Sequence, residues 1–333
     1  MRPTGADEVA AMGRALALGA SVRTTTAPNP WVGCVVLPGG FEGATCPPGG
    51  PHAERVALAA AGPQAEGATL VTTLEPCAHQ GRTSPCVDAI VAAGVRRVVV
   101  GLEDPDPQVR GAGVRALREG GIEVEVGLCA SEVGEQLAPY LKHRTTGRPW
   151  VVLKLAATLD GRTAAPDGSS RWITGPEARL DAHRLRAESD AILVGARTVR
   201  ADDPELTVRH VAGNDRQPLR VVVGRAPERA RVRPALEVEG DLEAVLDDLG
   251  RRGVLQVLVE GGATVAGDFH RAGLVDRYVF YVSPKLLGGD DGHPVLAGAG
   301  APTLAGAWRG RLVSVARLGD DVRVELEAAQ AAR

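Results

Sequence analysis

Three residues of types that bind metal ions lie in the first third of the chain, with a carboxylate beside one of them. His52 is followed two positions later by Glu54, and Cys77 and Cys86 come further along. One imidazole and two thiolates suit a tetrahedral zinc ion and leave its fourth position for water. A carboxylate beside such a water can move its protons. The pattern therefore predicts His52, Cys77 and Cys86 as zinc ligands and Glu54 as a catalytic residue.

The order of these residues is typical of zinc-dependent deaminases, which carry His-x-Glu followed by Pro-Cys and a second Cys. Eight residues separate Cys77 from Cys86, where two are usual. The local sequence compensates, because Ser84 and Pro85 predict a helix that begins with a cap and a proline and holds Cys86 in its first turn. The positive end of a helix favours a thiolate. The expected reaction is hydrolytic removal of an amine from a ring carbon, although each residue alone also fits an ordinary surface or core position.

Other polar residues near this pattern are less specific. Asn29 precedes a strand, where its amide is available to a substrate ring or serves only the turn. Cys34 and Cys129 are expected to be packing residues. Cys46 is expected to be a loop residue, with an accessory thiol near the metal site as the alternative. The five cysteines are unevenly spaced and odd in number, which argues against a disulfide framework.

Composition limits the partners that this chain can have. The formal net charge is −3 and aromatic residues make up 3% of the chain, so neither a basic face nor stacking platforms favour nucleic acid. The apolar runs are strand-sized and shorter than the roughly 18 residues of a membrane span. The N-terminal residues do not have the pattern of an export signal. We therefore expect a cytoplasmic protein that acts on a small molecule, with no nucleic acid and no membrane partner.

The spacing of apolar residues predicts alternating helices and strands, an α/β layer sandwich, in the first half. The predicted helices cover residues 8–19, 52–61, 85–93, 108–119 and 131–144, and the predicted strands cover residues 32–37, 69–74, 95–101 and 123–126.

A short polar segment with Gly and Pro, residues 145–149, predicts a domain boundary, with domains at 1–146 and 147–333. The alternation then restarts. The predicted strands cover residues 150–157, 191–194, 219–223, 256–260, 276–283, 311–318 and 322–327, and the predicted helices cover residues 176–188, 196–201, 242–252 and 264–272. Residues 225–240, rich in Arg, Pro and Glu, are expected to form a surface loop.

Eight segments together resemble the bifunctional riboflavin-biosynthesis deaminase/reductase over nearly the whole chain. They are residues 29–34 (NPWVGC), 51–54 (PHAE), 73–86 (TLEPCAHQGRTSPC), 104–109 (DPDPQV), 154–162 (KLAATLDGR), 172–174 (WIT), 201–209 (ADDPELTVR) and 259–262 (VEGG). The resemblance implies a cytidine-deaminase-like three-layer α/β/α domain followed by a dihydrofolate-reductase-like α/β domain. It implies zinc-dependent deamination of a diaminopyrimidinone ribosylamine 5′-phosphate, and then NADPH-dependent reduction of the ribosyl group to ribityl.

The resemblance also implies roles for individual residues. Contacts to the cofactor NADPH fall on Ala156, Trp172, Thr198 and Asp202. Contacts to the phosphorylated substrate fall on Ser170, Arg186, Leu206, Arg209 and Glu260. Asn29, and Arg82 at a position that keeps a positive charge, are further candidate substrate-binding residues.

Physical chemistry supports several of these roles and leaves alternatives open. Arg186 and Arg209 suit a 5′-phosphate because a guanidinium binds it in a fork, although either also suits a surface ion pair. Arg225 suits the NADPH 2′-phosphate. Lys154 is a candidate catalytic donor to the sugar or a member of a structural ion pair. Trp172 shelters the nicotinamide or belongs to the core.

A glycine pair lies between a predicted strand and a helix, where the backbone N–H groups of Gly262, Ala263 and Thr264 suit a pyrophosphate. The same pair also suits a simple tight connection.

Two other functions stay open at this point. In one, the deaminase is active and the second half is a degenerate nucleotide-binding or oligomerisation domain. In the other, the deaminase acts on a different small heterocycle. The resemblance also suggests a homodimer or a homotetramer.

Overall fold

The protein is described here by a computed structural model covering residues 5–79, 84–107, 109–211 and 216–328. It divides into two compact units, Met1–Arg148 and Pro149–Arg333. Both units are α/β, as predicted. Among the residues described, no helix has the length and apolar character that crossing a membrane requires.

The first unit is built on one mixed sheet. Its strands are β1 (Gly33–Leu37), β2 (Phe41–Ala44), β3 (Thr69–Leu74), β4 (Arg97–Leu102) and β5 (Glu123–Val126), in the order β2-β1-β3-β4-β5. β1 runs antiparallel to β2 and β3, whereas β3, β4 and β5 are parallel. Val98, Val99 and Val100 on β4 are all fully buried, because a central parallel strand has both faces covered.

Helices cover both faces of this sheet. They are α1 (Ala6–Ser21), α2 (Arg23–Thr26), α3 (Ala53–Ala61), α4 (Cys86–Ala92), α5 (Ala112–Glu119), α6 (Ala130–Gln136) and α7 (Ala138–Thr146). α1 packs on β1, β3 and α6, while α3 packs on β1, β2 and α4, and α4 packs on α5. The result is a three-layer α/β/α sandwich, whose second helical layer brings the starts of α3 and α4 together.

The second unit contains a larger sheet. Its strands in chain order are β6 (Trp150–Thr158), β7 (Arg162–Ala164), β8 (Ala191–Gly195), β9 (Leu219–Val223), β10 (Leu236–Val238), β11 (Gln256–Val259), β12 (Arg277–Ser283), β13 (His293–Pro294), β14 (Gly310–Leu318) and β15 (Asp321–Ala328). The eight-stranded sheet has the order β10-β9-β8-β11-β6-β12-β15-β14, and β7 pairs with β13. Its first six strands are parallel, and β15 and β14 are antiparallel.

Alternate residues of each central strand enter two different cores, which explains the near-continuous apolar strands of this unit. Val257 and Val259 on β11 face one core, and Leu258 between them faces the other. The covering helices are α8 (Pro176–Ala187), α9 (Ala196–Asp202), α10 (Leu242–Arg251) and α11 (Ala263–Arg271). Residues of α10 and α11 line the first core, and residues of α8 and α9 line the second. The carboxyl ends of the parallel strands are left for ligands.

Four details differ from the sequence-based expectation. The helix predicted over 131–144 is two helices, α6 and α7, because Pro139 lacks an N–H and disfavours helical backbone before it. The predicted loop 225–240 contains β10, and β2, β7 and β13 were too short to show a periodicity. The helix predicted from Gln108 begins at Ala112, and Gln108 itself lies outside the described residues.

Gly43 on β2 lets α3 approach the sheet closely, so its replacement should destabilise the first unit. A Cβ at Gly43 would overlap the Ala53 carbonyl oxygen and lie 2.5 Å from the Ala57 nitrogen. Gly43→Ala should therefore cost about 1–3 kcal/mol of unfolding free energy, measured by urea denaturation. Gly13→Ala is the control, since Gly13 is an exposed α1 residue with open space around it and should gain stability by roughly 0.5–1 kcal/mol. Equal stabilities for the two variants would contradict this packing.

Candidate active sites

Two helix starts and one loop bring the three predicted metal ligands together. His52 is the N-cap of α3, Cys86 is the first residue of α4, and Cys77 lies just beyond β3. The Nδ1 atom of His52 is 3.6 Å from the Cys77 Sγ and 3.4 Å from the Cys86 Sγ. All three ligand atoms lie within 4.8 Å of one another.

This group fits a zinc ion. Zinc bonds of about 2.3 Å to sulfur and about 2.0–2.1 Å to nitrogen, at tetrahedral angles, place neighbouring ligand atoms roughly 3.5–3.8 Å apart. The His-Cys-Cys donor set is also one that zinc accepts, and it supplies three ligands of four.

The start of α4 differs in detail from the prediction. Pro85, not Ser84, occupies the N-cap position, so the predicted serine cap is wrong. The backbone N–H of Cys86 instead donates to the Cys77 Sγ at 3.4 Å. Proline places the helix start one residue later because its fixed φ suits the turn into the helix while it offers no N–H of its own. The first N–H group of α4 therefore stabilises the thiolate of Cys77 directly.

The two thiols respond oppositely to their surroundings. The hydrogen bond from the Cys86 thiol lowers the pKa of Cys77, and the same bond, together with burial, raises the pKa of Cys86. The hydrogen bond to Cys77 also raises the pKa of His52. Cysteine binds a metal ion as a thiolate, so zinc binding displaces the thiol proton of Cys86 and weakens as the pH falls.

Glu54 lies in the first turn of α3 and is 4% exposed. The Cys86 thiol donates to its Oε2 at 3.5 Å, so the carboxyl group borders the ligand group. Burial raises the pKa of Glu54 to about 7. A carboxyl group with such a pKa both accepts and returns a proton near neutral pH.

Glu75 is a residue of this site that sequence reasoning missed. Its buried carboxylate accepts N–H groups of Asp104, Gly111 and Val114 at 3.0–3.1 Å. These bonds hold the start of α5 against the loop that carries Cys77, two residues beyond Glu75. The sequence did carry a signal for this role, because Glu75 lies between an apolar strand and the Pro-Cys pair. A carboxylate at the end of a buried strand needs hydrogen-bond partners.

The structure describes some, but not all, of the other residues that were predicted for the first unit. Asn29 is half-buried in the turn before β1, where its N–H donates to the Thr26 carbonyl at 2.9 Å. Arg82 lies outside the described residues. Cys34, Cys46 and Cys129 are free thiols that do not belong to the ligand group. Burial raises the pKa of Cys34, as expected for a packing residue.

The second unit contains a cleft of about 1730 Å³ at the carboxyl ends of its parallel strands. Sites for one small ligand usually have roughly 300–1,000 Å³, so this cleft has room for a dinucleotide and a substrate together. All residues predicted for cofactor and substrate in this half line it: Lys154, Ala156, Ser170, Trp172, Arg186, Thr198, Asp202, Leu206, Arg209, Arg225, Glu260, Gly262, Ala263 and Thr264.

A partly buried ion-pair cluster forms the floor of the cleft. Glu260, at the end of β11, accepts from the Arg186 Nε at 2.5 Å and from its Nη2 at 2.9 Å. The Lys154 ammonium lies 3.7 Å from the Glu260 Oε2. Burial alone would raise the pKa of Glu260, but the two cations hold it at about 2. Since the remaining Nη1 of Arg186 donates to the Thr207 carbonyl, its phosphate-binding role stays a prediction.

His183, which sequence reasoning missed, lines the cleft beside the predicted substrate residues. Its Nδ1 accepts the Arg209 backbone N–H at 3.2 Å. Burial and the neighbouring Arg186 and Arg209 lower the pKa of His183 to about 4, so the imidazole is neutral at physiological pH. The spacing of His183 and Arg186 on α8 was an available signal, since residues three apart share a helix face. The Arg209 guanidinium itself pairs with Glu205.

The other half of the cleft suits a dinucleotide. Gly261 and Gly262 connect β11 to α11, and a Cβ on Gly261 would lie 2.7 Å from Val265, so this turn packs closely. The Gly262 N–H donates to the Thr198 hydroxyl at 3.0 Å. The N–H groups that follow lie in the first turn of α11, where no intrahelical acceptor exists and a phosphate is favoured.

Trp172 is 63% exposed at the edge of the cleft and is therefore not a core residue. The Arg179 guanidinium lies over its ring at 4.6 Å from the centroid. The Lys285 ammonium donates to the Trp172 carbonyl at 2.6 Å. An exposed aromatic ring held in this way offers a flat surface to a planar ligand.

Comparison with known proteins assigns both units to families. The model for the cytidine and deoxycytidylate deaminase zinc-binding region matches residues 7–102, and the RibD C-terminal domain model matches residues 149–324. These matches confirm the predicted fold class of both halves.

Relatives match over almost the whole chain. The riboflavin biosynthesis protein RibD of Escherichia coli K12 is 41% identical over 96% of this chain and 98% of its own. The structure of Acinetobacter baumannii RibD has a TM-score of 0.92 at 39% identity, covering 97% of this chain and 99% of that one. The Thermotoga maritima diaminohydroxyphosphoribosylaminopyrimidine deaminase/5-amino-6-(5-phosphoribosylamino)uracil reductase has a TM-score of 0.86 at 34% identity, with the same two coverages.

Removal of one thiolate should empty the metal site. Cys86→Ala leaves two ligands of three, so purified protein should hold far less than one zinc per chain, measured by mass spectrometry of the metal. Cys46→Ala is the matched control, because this cysteine of the same unit lies outside the ligand group. Full zinc content in the Cys86 variant, or equal loss in both, would contradict the ligand assignment.

Proposed function

We propose, since this chain belongs to the RibD family of bifunctional riboflavin-biosynthesis deaminases and reductases, that the residues described above carry out both reactions on a phosphorylated pyrimidine. The proposed substrate is the diaminopyrimidinone ribosylamine 5′-phosphate, in accord with the name of the Thermotoga relative. The observation that carries the proposal is the buried carboxyl group of Glu54 beside the His52, Cys77 and Cys86 ligand group.

In the first reaction the three ligands would hold zinc, which when bound supplies an acidified water and Lewis-acid activation. Glu54 takes a proton from the attacking water and delivers it to the departing amine. The position of the carboxyl group supports this role, because it is buried and borders the group of ligands at the start of α4. Asn29 and Arg82 are proposed to hold the substrate.

In the second reaction NADPH supplies a hydride to the ribosyl group, and the protein has to supply a proton and the correct orientation. Lys154 is the proposed donor to the sugar. Its Nζ lies 3.7 Å from the Glu260 Oε2, so the ionised carboxylate holds the lysine side chain in the cleft. Arg186 in turn keeps Glu260 in position through its bidentate pair.

The remaining cleft residues divide between the two ligands in this proposal. Arg209 binds the substrate phosphate, with Ser170 and Leu206 on either side, and His183 fixes the Arg209 backbone. Trp172 covers the nicotinamide. The first turn of α11 receives the pyrophosphate, and Ala156, Asp202 and Arg225 are further cofactor contacts.

Two alternatives from the sequence are less well supported. A degenerate second half would not need a half-buried lysine, glutamate and arginine that pair with one another at the floor of a large cleft. A deaminase for another heterocycle would not need that cleft either. A coupled assay with the diaminopyrimidinone phosphate, following ammonia release and NADPH oxidation together, tests both. Ammonia without NADPH oxidation would support the degenerate second half, and neither signal from folded, zinc-loaded protein would support another substrate.

Location and oligomeric state stay predictions. We propose a cytoplasmic enzyme that forms a homodimer or a homotetramer. Leu312 and Val315 on the edge strand β14 are 56% and 59% exposed, which supports self-association through that strand.

Glu54→Gln should separate metal binding from catalysis. The amide keeps the size of the side chain but cannot carry the proton, so ammonia release should fall by roughly 10²–10⁴-fold. Zinc content should stay at one per chain, since Glu54 is not among the three ligands. Asp88→Asn, which changes an exposed α4 carboxylate, is the control for the lost charge. Deamination at the normal rate in the Glu54 variant would remove the proton-carrier role.

Lys154→Met should impair the reductase alone. Methionine keeps the side-chain length but donates no proton, so NADPH oxidation should slow by roughly 10²–10⁴-fold. Glu260 remains paired with Arg186, which keeps the site folded. Nucleotide affinity and ammonia release by the same preparation are internal controls and should be unchanged. A variant that binds NADPH normally and reduces at the normal rate would make Lys154 a structural residue.

A further inference from the structure

The three proposed zinc ligands differ in how the backbone holds them. His52 is the N-cap of α3 and Cys86 is the first residue of α4, so a helix fixes each of them. Cys77 belongs to neither a helix nor a strand, because β3 ends at Leu74. Its thiolate can complete a tetrahedral site only if other contacts hold this loop in place. The position of Cys77 therefore depends on residues that are not ligands.

The buried carboxylate of Glu75 supplies several of these contacts. Glu75 is 4% exposed and lies two residues before Cys77. Its Oε2 accepts the Asp104 N–H at 3.1 Å and the Gly111 N–H at 3.0 Å, and its Oε1 accepts the Val114 N–H at 3.0 Å. Hydrogen bonds to a charged acceptor are stronger than those between neutral groups, and a buried carboxylate needs them. Both oxygens therefore hold the backbone of other segments.

The same carboxylate replaces the missing cap of α5. The start of a helix leaves N–H groups without intrahelical acceptors, and a side chain at the N-cap usually accepts one of them. The N-cap of α5 is Gly111, which has no side chain for this purpose. Glu75 accepts from Gly111 and from Val114, the third residue of the helix, and a negative charge is favoured at this helix end. One side chain therefore joins α5 to the Cys77 loop.

Close packing reinforces this connection. A Cβ on Gly113 would overlap the Pro76 carbonyl oxygen, so the start of α5 lies directly on the residue before Cys77. On the other side, the Val87 N–H of α4 donates to the Cys77 carbonyl at 3.2 Å. The loop is therefore held between the starts of two helices, by α4 through its backbone and by α5 through Glu75.

We propose that Glu75 is a positioning residue for the metal site, which joins the start of α5 to the Cys77 loop and thereby slows the release of zinc. The inference rests on the proposed ligand group and adds a residue that is not itself a ligand. Replacement of residues that orient metal ligands commonly lowers metal affinity by roughly 10–100-fold. Without the Glu75 carboxylate the loop is held mainly by α4, so the Cys77 thiolate leaves the ion more often.

The test measures how fast zinc leaves the zinc-loaded full chain when an excess of a chromogenic chelator traps the released ion. Glu75→Gln keeps the shape of the side chain but has one acceptor oxygen and one NH₂ donor, so at least one of the three N–H groups meets a donor. Zinc release should become roughly 10–100-fold faster. Cobalt(II) in place of zinc should show an altered visible absorption spectrum, because its bands depend on the geometry of the thiolate ligands.

Gly113→Ala tests the same connection by a second route. The added methyl group has to displace the Pro76 carbonyl while the Glu75 carboxylate is unchanged, so zinc release should again be faster. Met12→Ala is the matched control. Met12 is fully buried on α1, in the other helical layer, so the cavity lowers the stability of the same unit without altering the Cys77 loop. Zinc release and the cobalt spectrum of this control should stay unchanged.

Each outcome either supports or overturns the proposal. Normal zinc release with a normal cobalt spectrum in folded Glu75→Gln protein would overturn it. Equal acceleration in Met12→Ala would also overturn it, because a general loss of stability would then explain the effect. If Glu75→Gln does not fold, faster release from Gly113→Ala supports the proposal and normal release overturns it. Unaltered protein that binds no zinc would instead overturn the ligand group itself.

Discussion

The placement of functional groups in both units depends on one constraint, the direction of the parallel strands. A parallel strand buried on both faces is mostly apolar along its length, so most of the chemical groups lie where the strands end, and Lys154 within β6 is an exception. In the first unit Glu75 and Cys77 follow β3 directly. In the second, Thr198 follows β8, Arg225 follows β9 and Glu260 follows β11. Residues far apart in the chain therefore meet at one edge of each sheet, where helix starts add N–H groups that stabilise anions.

Arginines in structural positions and arginines beside the cleft differ in how completely carboxylates pair with them. Arg97 in the first unit is 2% exposed, and its donors are taken up by Glu8, Glu123 and Glu125. A buried guanidinium without such partners would be strongly destabilising. The cleft arginines on α9 have no carboxylate partners among the described residues and remain near solvent, where an unpaired charge is tolerated. Full pairing in the core and incomplete pairing at the cleft follow from the same desolvation cost.

The sequence was informative wherever a signal was local. Apolar spacing predicted the central strands, and residue types with their order predicted the group of His52, Cys77 and Cys86. Short strands such as β2 and β10 have too few residues to show a periodic apolar pattern. The break between α6 and α7, just before Pro139, was missed because the apolar pattern continues across it. Pairings between distant residues were beyond local reasoning. Arg186 was predicted to bind phosphate, and nothing near it in the chain indicated that its guanidinium also pairs with Glu260.

The two buried glutamates show how surroundings, and not residue type, decide what a carboxyl group does. Glu54 and Glu260 are both nearly inaccessible to water. Burial raises the pKa of Glu54 to about 7. Arg186 and Lys154 hold the pKa of Glu260 at about 2 in spite of the same burial. One carboxyl group can therefore exchange protons at neutral pH, as hydrolysis requires, whereas the other is a permanent anion. The permanent anion holds the Lys154 side chain, 3.7 Å away, and the Arg186 guanidinium in place at the floor of the cleft, so the two carboxyl groups serve different purposes.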